Sequence, residues 1–162
     1  MPRRPINDPV SLELLEAAFL CDFVRVRTLL ADGADPEVRD EDDRTPLFSA
    51  ILGNSVGVLA LLLEAGADPN AQDKDGWSPL HFAAQEHTTE LARILVGRGA
   101  NPNLRDNDGA TALWRAVQAS RGRTELVAVL KQGGARDDLA NNQGETPREL
   151  DQRLGLGVFN VN

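Results

Sequence analysis

The stretch Asp75-Gly76-Trp77-Ser78-Pro79-Leu80-His81-Phe82-Ala83-Ala84 reads as a turn feeding a short helix. Gly76 supplies a backbone angle closed to other residues, in a run of turn formers that begins at Asp73. Ser78 suits a helix cap, and Pro79 suits the first helical position, where its missing N–H costs nothing. Leu80, Ala83 and Ala84 make the apolar stripe, and the alanines let a neighbouring helix come close. His87 falls where this helix should stop. Thr88 or Thr89 can cap a second helix, with Leu91, Ile94 and Leu95 as its stripe. Gly99 ends that helix in a left-handed turn, and Asn101-Pro102-Asn103 leads out in extended or turn conformation. Residues 73–105 are therefore turn, helix, turn, helix, loop.

The same unit recurs on both sides. Thr45-Pro46-Leu47-Phe48, Ser78-Pro79-Leu80-His81, Thr111-Ala112-Leu113-Trp114 and Thr146-Pro147-Arg148-Glu149 follow at steps of 33, 33 and 35 residues. Gly33-Ala34, Gly66-Ala67, Gly99-Ala100 and Gly134-Ala135 run in phase at the same steps. Two markers in one register mean stacked units, none able to bury its apolar face alone.

Asp-Gly-x-Ser-Pro-Leu-His-x-Ala-Ala (75–84) with Leu-Val-x-x-Gly-Ala-x-Pro-Asn (95–103) resembles the ankyrin repeat, over roughly residues 8–155. The resemblance implies an all-α solenoid of about four helix pairs and a C-terminal half repeat, with hairpin-like finger loops. It further implies that the first helices line a concave face. The expected units are 8–39, 40–72, 73–105, 106–140 and the half unit 141–155, between tails 1–7 and 156–162. The first unit has Leu12-Glu13-Leu14-Leu15 in place of the Thr-Pro-Leu-His string, as expected of a capping repeat with one face in water. The finger at 40–44 has Asp43 where the others have Gly76, Gly109 and Gly144, so a different bend is expected there. The fourth unit gains two residues around 120–123, and carries Lys131 where its siblings have Leu30, Leu63 and Val96. The tail 156–162 is either frayed or laid over the last helices.

Composition narrows the function. With 162 residues, 41% apolar and 26% charged, the chain is an ordinary globular sequence without a run long enough to span a bilayer. The basic start, 1–5, leads into no apolar stretch and is not expected to be a secretory signal. The lone Cys21 suits a reducing cytoplasm. The net charge of −8 repels nucleic acid and anionic lipid and favours a basic partner. No catalytic constellation appears, so no enzyme, cofactor or metal site is expected. His81 and His87, astride a helix end, are poorly placed to share a metal. The expected role of His81 is hydrogen bonding between adjacent loops, and Asp73 and Asp106 are expected to accept backbone bonds in theirs.

What remains is a binding surface. The resemblance directs the finger tips and the ends of the first helices to the concave side. These positions hold Glu41, Asp42, Asp43, Arg44 and Leu52, then Lys74, Asp75, Trp77, Gln85 and Glu86, then Asn107, Asp108 and Gln118, with Phe19 in the capping unit. The run Asp40-Glu41-Asp42-Asp43, continued by Asp75 and Asp108, makes the surface acidic. Trp77 is either a contact residue or flat on its own finger; Phe19 and Leu52 are either exposed contacts or packed on each other. Phe48 and Trp114, in the slot of His81, are expected half-buried between fingers, and Arg121 and Arg123 are expected to be solvated surface. The expected function is a non-enzymatic module that is monomeric when free and holds one protein partner, basic at the contact. The resemblance extends to small bacterial ankyrin proteins, some of them immunity proteins that block a toxin enzyme. The alternative is an adaptor subunit that uses 156–162 as a second contact.

Overall fold

The computed structural model describes residues 9–159. Nine α-helices follow in order: α1 (Pro9–Phe19), α2 (Phe23–Ala31), α3 (Pro46–Leu52), α4 (Val56–Glu64), α5 (Pro79–Gln85), α6 (Thr89–Gly97), α7 (Ala112–Ala119), α8 (Glu125–Gln132) and α9 (Pro147–Leu154). Most have seven to nine residues, too short to persist alone in water. They persist by packing. The odd-numbered helices form one row and the even-numbered helices a second, each helix against its neighbours in its own row and its partner in the other. One continuous core results, with Leu14, Leu47, Leu80 and Leu113 fully buried along the first row and Leu62 and Leu95 in the second.

The Gly-Ala pairs and the asparagines that follow them have physical causes. The glycines of the Gly-Ala pairs sit at φ +85°, +93°, +88° and +90° at Gly33, Gly66, Gly99 and Gly134, and each following alanine is buried. The Pro-Asn asparagines tie units together. Asn70 Oδ1 accepts the Asn101 N–H at 2.7 Å, and the Asn70 amide donates to the Gly99 carbonyl at 3.3 Å. Asn103 does the same with Arg136 and Gly134. Glu37 takes the first such position and accepts the Asp68 N–H at 2.8 Å; burial raises its pKa.

Two local expectations are corrected, and one of the two alternatives for the tail is found. The finger at 40–44 does not bend differently: Asp43 adopts φ +60°, close to +76° at Gly76 and +73° at Gly109. An aspartate tolerates this region better than most side chains. Phe48 is not half-buried but fully buried, with its ring edge-on to Phe82 at 5.2 Å. The tail, as far as residue 159, is not frayed. The Val158 N–H donates to the buried Asp151 carboxylate at 3.0 Å, Val158 is 4% exposed, and Leu156 and Phe159 lie against the core. Residues 160–162, and the tail 1–7, lie outside the described residues. Lys131 is exposed and pairs with Asp137 at 3.3 Å.

The docked tail makes a testable difference. Amides of α9 are expected to exchange as slowly as those of the central helices. Val158→Asp, which places a second carboxylate beside Asp151, should speed their exchange by about tenfold or more. Unchanged exchange would mean that the tail does not hold α9.

Candidate functional site

The fingers are joined edge to edge. The Lys74 N–H donates to the Asp42 carbonyl at 3.1 Å, Asn107 to Asp75 at 2.9 Å, and Asn142 to Asp108 at 2.8 Å. Within each finger the leading Asp or Asn accepts two backbone N–H groups. For Asp73 these come from Asp75 at 3.0 Å and Trp77 at 2.8 Å, and for Asp106 from Asp108 at 3.0 Å and Ala110 at 2.9 Å. His81 crosslinks two fingers. Its Nδ1 accepts the Ser78 N–H at 3.1 Å, which leaves the proton on Nε2 to donate to the Ala110 carbonyl, also at 3.1 Å. The ring is fully buried, and burial lowers its pKa, so it stays neutral.

Across the middle of the finger face runs an aromatic cluster flanked by arginines. Trp77 meets Phe82 edge-on, with ring centroids 5.1 Å apart. The Arg44 guanidinium lies 5.5 Å from the Phe82 centroid, and Arg115 lies 4.8 Å from Trp77 and 5.4 Å from Trp114. Each arginine is held by two carboxylates, both on one finger for Arg115 and on two adjacent fingers for Arg44. Arg115 bonds Asp106 at 2.6 Å and Asp108 at 2.7 Å; Arg44 reaches Asp42 at 3.3 Å and Asp73 at 3.7 Å. Trp77, Phe82, Arg44 and Arg115 are all half-buried. Trp77 is thus neither projecting nor flat on its own finger. It leans on the helix it introduces and lies under an arginine of the next unit.

The predicted acid line is partly neutralised from within. Asp42 and Asp108 spend their charge on Arg44 and Arg115, whereas Glu41, Asp43 and Asp75 are exposed and without an ion pair among the described residues. The Asn107 side chain is occupied, donating to the Lys74 carbonyl at 2.9 Å. Lys74, Gln85, Glu86 and Gln118 are exposed. Phe19 and Leu52 are 63% and 45% exposed, so they do not bury each other. Trp114, expected half-buried, is buried, though less deeply than Phe48. A polar depression of about 350 Å³ lies between the fingers at 106–110 and 141–145, lined by Asp108, Trp114, Arg115, Gln118, Asn142 and Arg153. Among the described residues no group of three or more acidic, histidine or cysteine side chains is arranged to hold a metal. No helix there is long and apolar enough to cross a membrane.

A family model described as ankyrin repeats (3 copies) matches residues 14–106, more than half of the chain. The chain belongs to the ankyrin repeat family. None of the curated proteins compared with it matches. Ankyrin repeats are generally protein–protein interaction modules, and typically not enzymes. In this ankyrin stack two residues of the cluster escape a reading of the sequence: Phe82 and Arg115. They occupy the helix position that follows the His81 slot, where the other units have Ser49 and Leu150. Variation at that position, between the invariant-looking Leu and Ala of the stripe, was the available signal.

Proposed function

We propose that the chain is a non-enzymatic binding module that holds one protein partner on its finger face, with the contact centred on Trp77 and Phe82. One observation carries this reading: two large aromatic rings are left half-exposed in the middle of a surface whose outer carboxylates, Glu41, Asp43 and Asp75, have no ion pair among the described residues. Tryptophan at the centre of a contact, ringed by polar groups, is the usual build of a binding hot spot. Residues 39–44, 72–77 and 105–110 carry eight carboxylates against four cations, so the partner is basic where it touches. The same field disfavours nucleic acid and anionic membrane. The free protein is read as a monomer, its own charge opposing self-association. One unpaired cysteine suits a reducing cytoplasm.

Immunity-type inhibition, with a basic toxin enzyme as the partner, is the specific form that the charge suits. The adaptor alternative loses most of its second contact, since residues 156–159 are spent on α9. Capture from the source cells on the immobilised protein, followed by identification of the stoichiometric partner, tests the reading. A basic partner is expected, and a nucleic acid or an acidic protein would overturn it. Glu41→Gln with Asp43→Asn and Asp75→Asn should slow association roughly tenfold at low salt and flatten its salt dependence. Unfolding midpoints should hardly move, because the three side chains are exposed. An association rate blind to both changes would reduce the carboxylates to solubilising charge.

A further inference from the structure

The first two units differ from the rest at the end of the first-row helices away from the fingers. Phe19 and Leu52 end α1 and α3, at positions where the third and fourth units have Gln85 and Gln118. Phe23 and Val56 open α2 and α4, where the later units have Thr89 and Thr124. All four apolar side chains are at least 43% exposed, as is Leu20 at 62%. They form one surface because the two interhelix turns stack directly. Cys21 Sγ donates to the Gly53 carbonyl at 3.4 Å, and a Cβ on Gly57 would stand 3.1 Å from the Phe23 ring. Such a strip is costly in water unless something covers it.

Charge says what covers it. The finger carrying Glu41, Asp42 and Asp43 begins the same helix that Leu52 ends, and α3 has seven residues, so acid rim and apolar strip stand about 10 Å apart. On the other side of the strip Arg27 lies over Phe23 at 5.8 Å. The surface therefore passes from acid, through apolar, to base. Resting on the binding reading above, we propose that this strip seats an amphipathic helix of the partner protein. Its apolar face lies on Phe19, Leu20, Leu52 and Val56, and its cationic edge turns toward Glu41 and Asp43. The strip crosses two first-row helices at the usual spacing of about 10 Å, which is about two turns of a seated helix, so a helix of ~14 residues covers it with about one turn to spare at each end. An anionic bilayer would meet the same carboxylates and be repelled.

The test uses the full chain and three labelled peptides of about 14 residues sharing one leucine stripe. One carries lysines along a single edge, one carries glutamates there, and one is a scramble of the first. Fluorescence anisotropy is expected to show the lysine-edged helix binding at least tenfold tighter than the other two. Phe19→Gln with Leu52→Gln should abolish the preference; these are the residues that sibling units carry at the same positions, so folding is kept, and circular dichroism checks it. Gln85→Leu lengthens the strip and should tighten binding severalfold. Binding that ignores Phe19 and Leu52 but is lost in Trp77→Ala would overturn this inference and leave the finger-face reading standing. Binding indifferent to all of these would sink both. A concentration-dependent dimer in sedimentation that Phe19→Gln and Leu52→Gln dissolve would also overturn it, because the strip would then be a contact between copies.

Discussion

Replacing His81 by alanine is expected to cost about 2–4 kcal/mol of folding stability, the largest loss of any single polar side chain in this molecule. The imidazole is fully buried and joins two units: Nδ1 takes the Ser78 N–H, and Nε2 gives its proton to the Ala110 carbonyl. Alanine leaves both backbone groups without a partner and opens a cavity between fingers. The bond also carries a pH signature. Burial lowers the His81 pKa in the folded state, so below the ordinary value of about 6.5 the unfolded chain takes up a proton that the native chain refuses. Stability from this group is complete above pH ~6.5 and is lost as the pH falls beneath it, by up to about 1.4 kcal/mol per pH unit. Urea titrations at pH 7.5 and 5.5 decide the matter. The wild type should lose about 1 kcal/mol more than His81→Ala over that interval. Equal losses would mean that His81 is protonated in the native state, and the assigned tautomer would be wrong.

Trp77→Ala is expected to weaken partner binding by about 2 kcal/mol, roughly thirtyfold in Kd, and to lower stability by about 1–2 kcal/mol as well. The second effect follows from the packing. The indole meets Phe82 at 5.1 Å and lies under Arg115 at 4.8 Å, so its loss uncovers one and unseats the other. Arg115 would keep Asp106, Asp108 and its contact with the Trp114 ring, which limits the damage. Trp77→Phe should keep most of the stability and part of the affinity. Calorimetric titration with the captured partner, beside urea unfolding of the same variants, separates the two quantities. A variant that unfolds readily yet binds normally when folded would make Trp77 a packing residue only.

The stack was legible because its residues are chosen by backbone need. Gly99 must turn left-handed, Pro79 must start a helix, and Ala83 must let a neighbour close in; each such demand leaves one letter at one spacing. The finger-to-finger role of His81 could be expected for the same reason. The site was less legible, because side-chain contacts across units follow no period. Nothing local to Trp77 tells that Arg115, thirty-eight positions on, will lie over it, or that Asp42 and Asp108 will be spent on arginines. The tail was ambiguous because its anchor, a single N–H from Val158 to Asp151, leaves no motif. Asp43 misled because the turn needs a conformation, not a glycine.

The bonds that join one finger to the next are the same at each junction, from Lys74 to Asp42, from Asn107 to Asp75 and from Asn142 to Asp108. Donor and acceptor of this bond are both backbone groups, so it forms whatever side chains the adjoining units carry; the side-chain bonds beside it, such as Asn107 to the Lys74 carbonyl and His81 to the Ala110 carbonyl, depend on the residues present. The protein is in this sense a ruler that can be lengthened by editing. A further unit copied from residues 73–105 and spliced in after residue 105 would restore every backbone bond between fingers and push the ends of the finger face apart by about 10 Å. Spliced there, the addition leaves Phe19, Leu52 and Trp77 in place and moves Arg115 away from Trp77, whose cover would then be the Phe82 copy. Lengthening the face at this splice therefore also changes what covers Trp77, while Phe19 and Leu52 keep their neighbours.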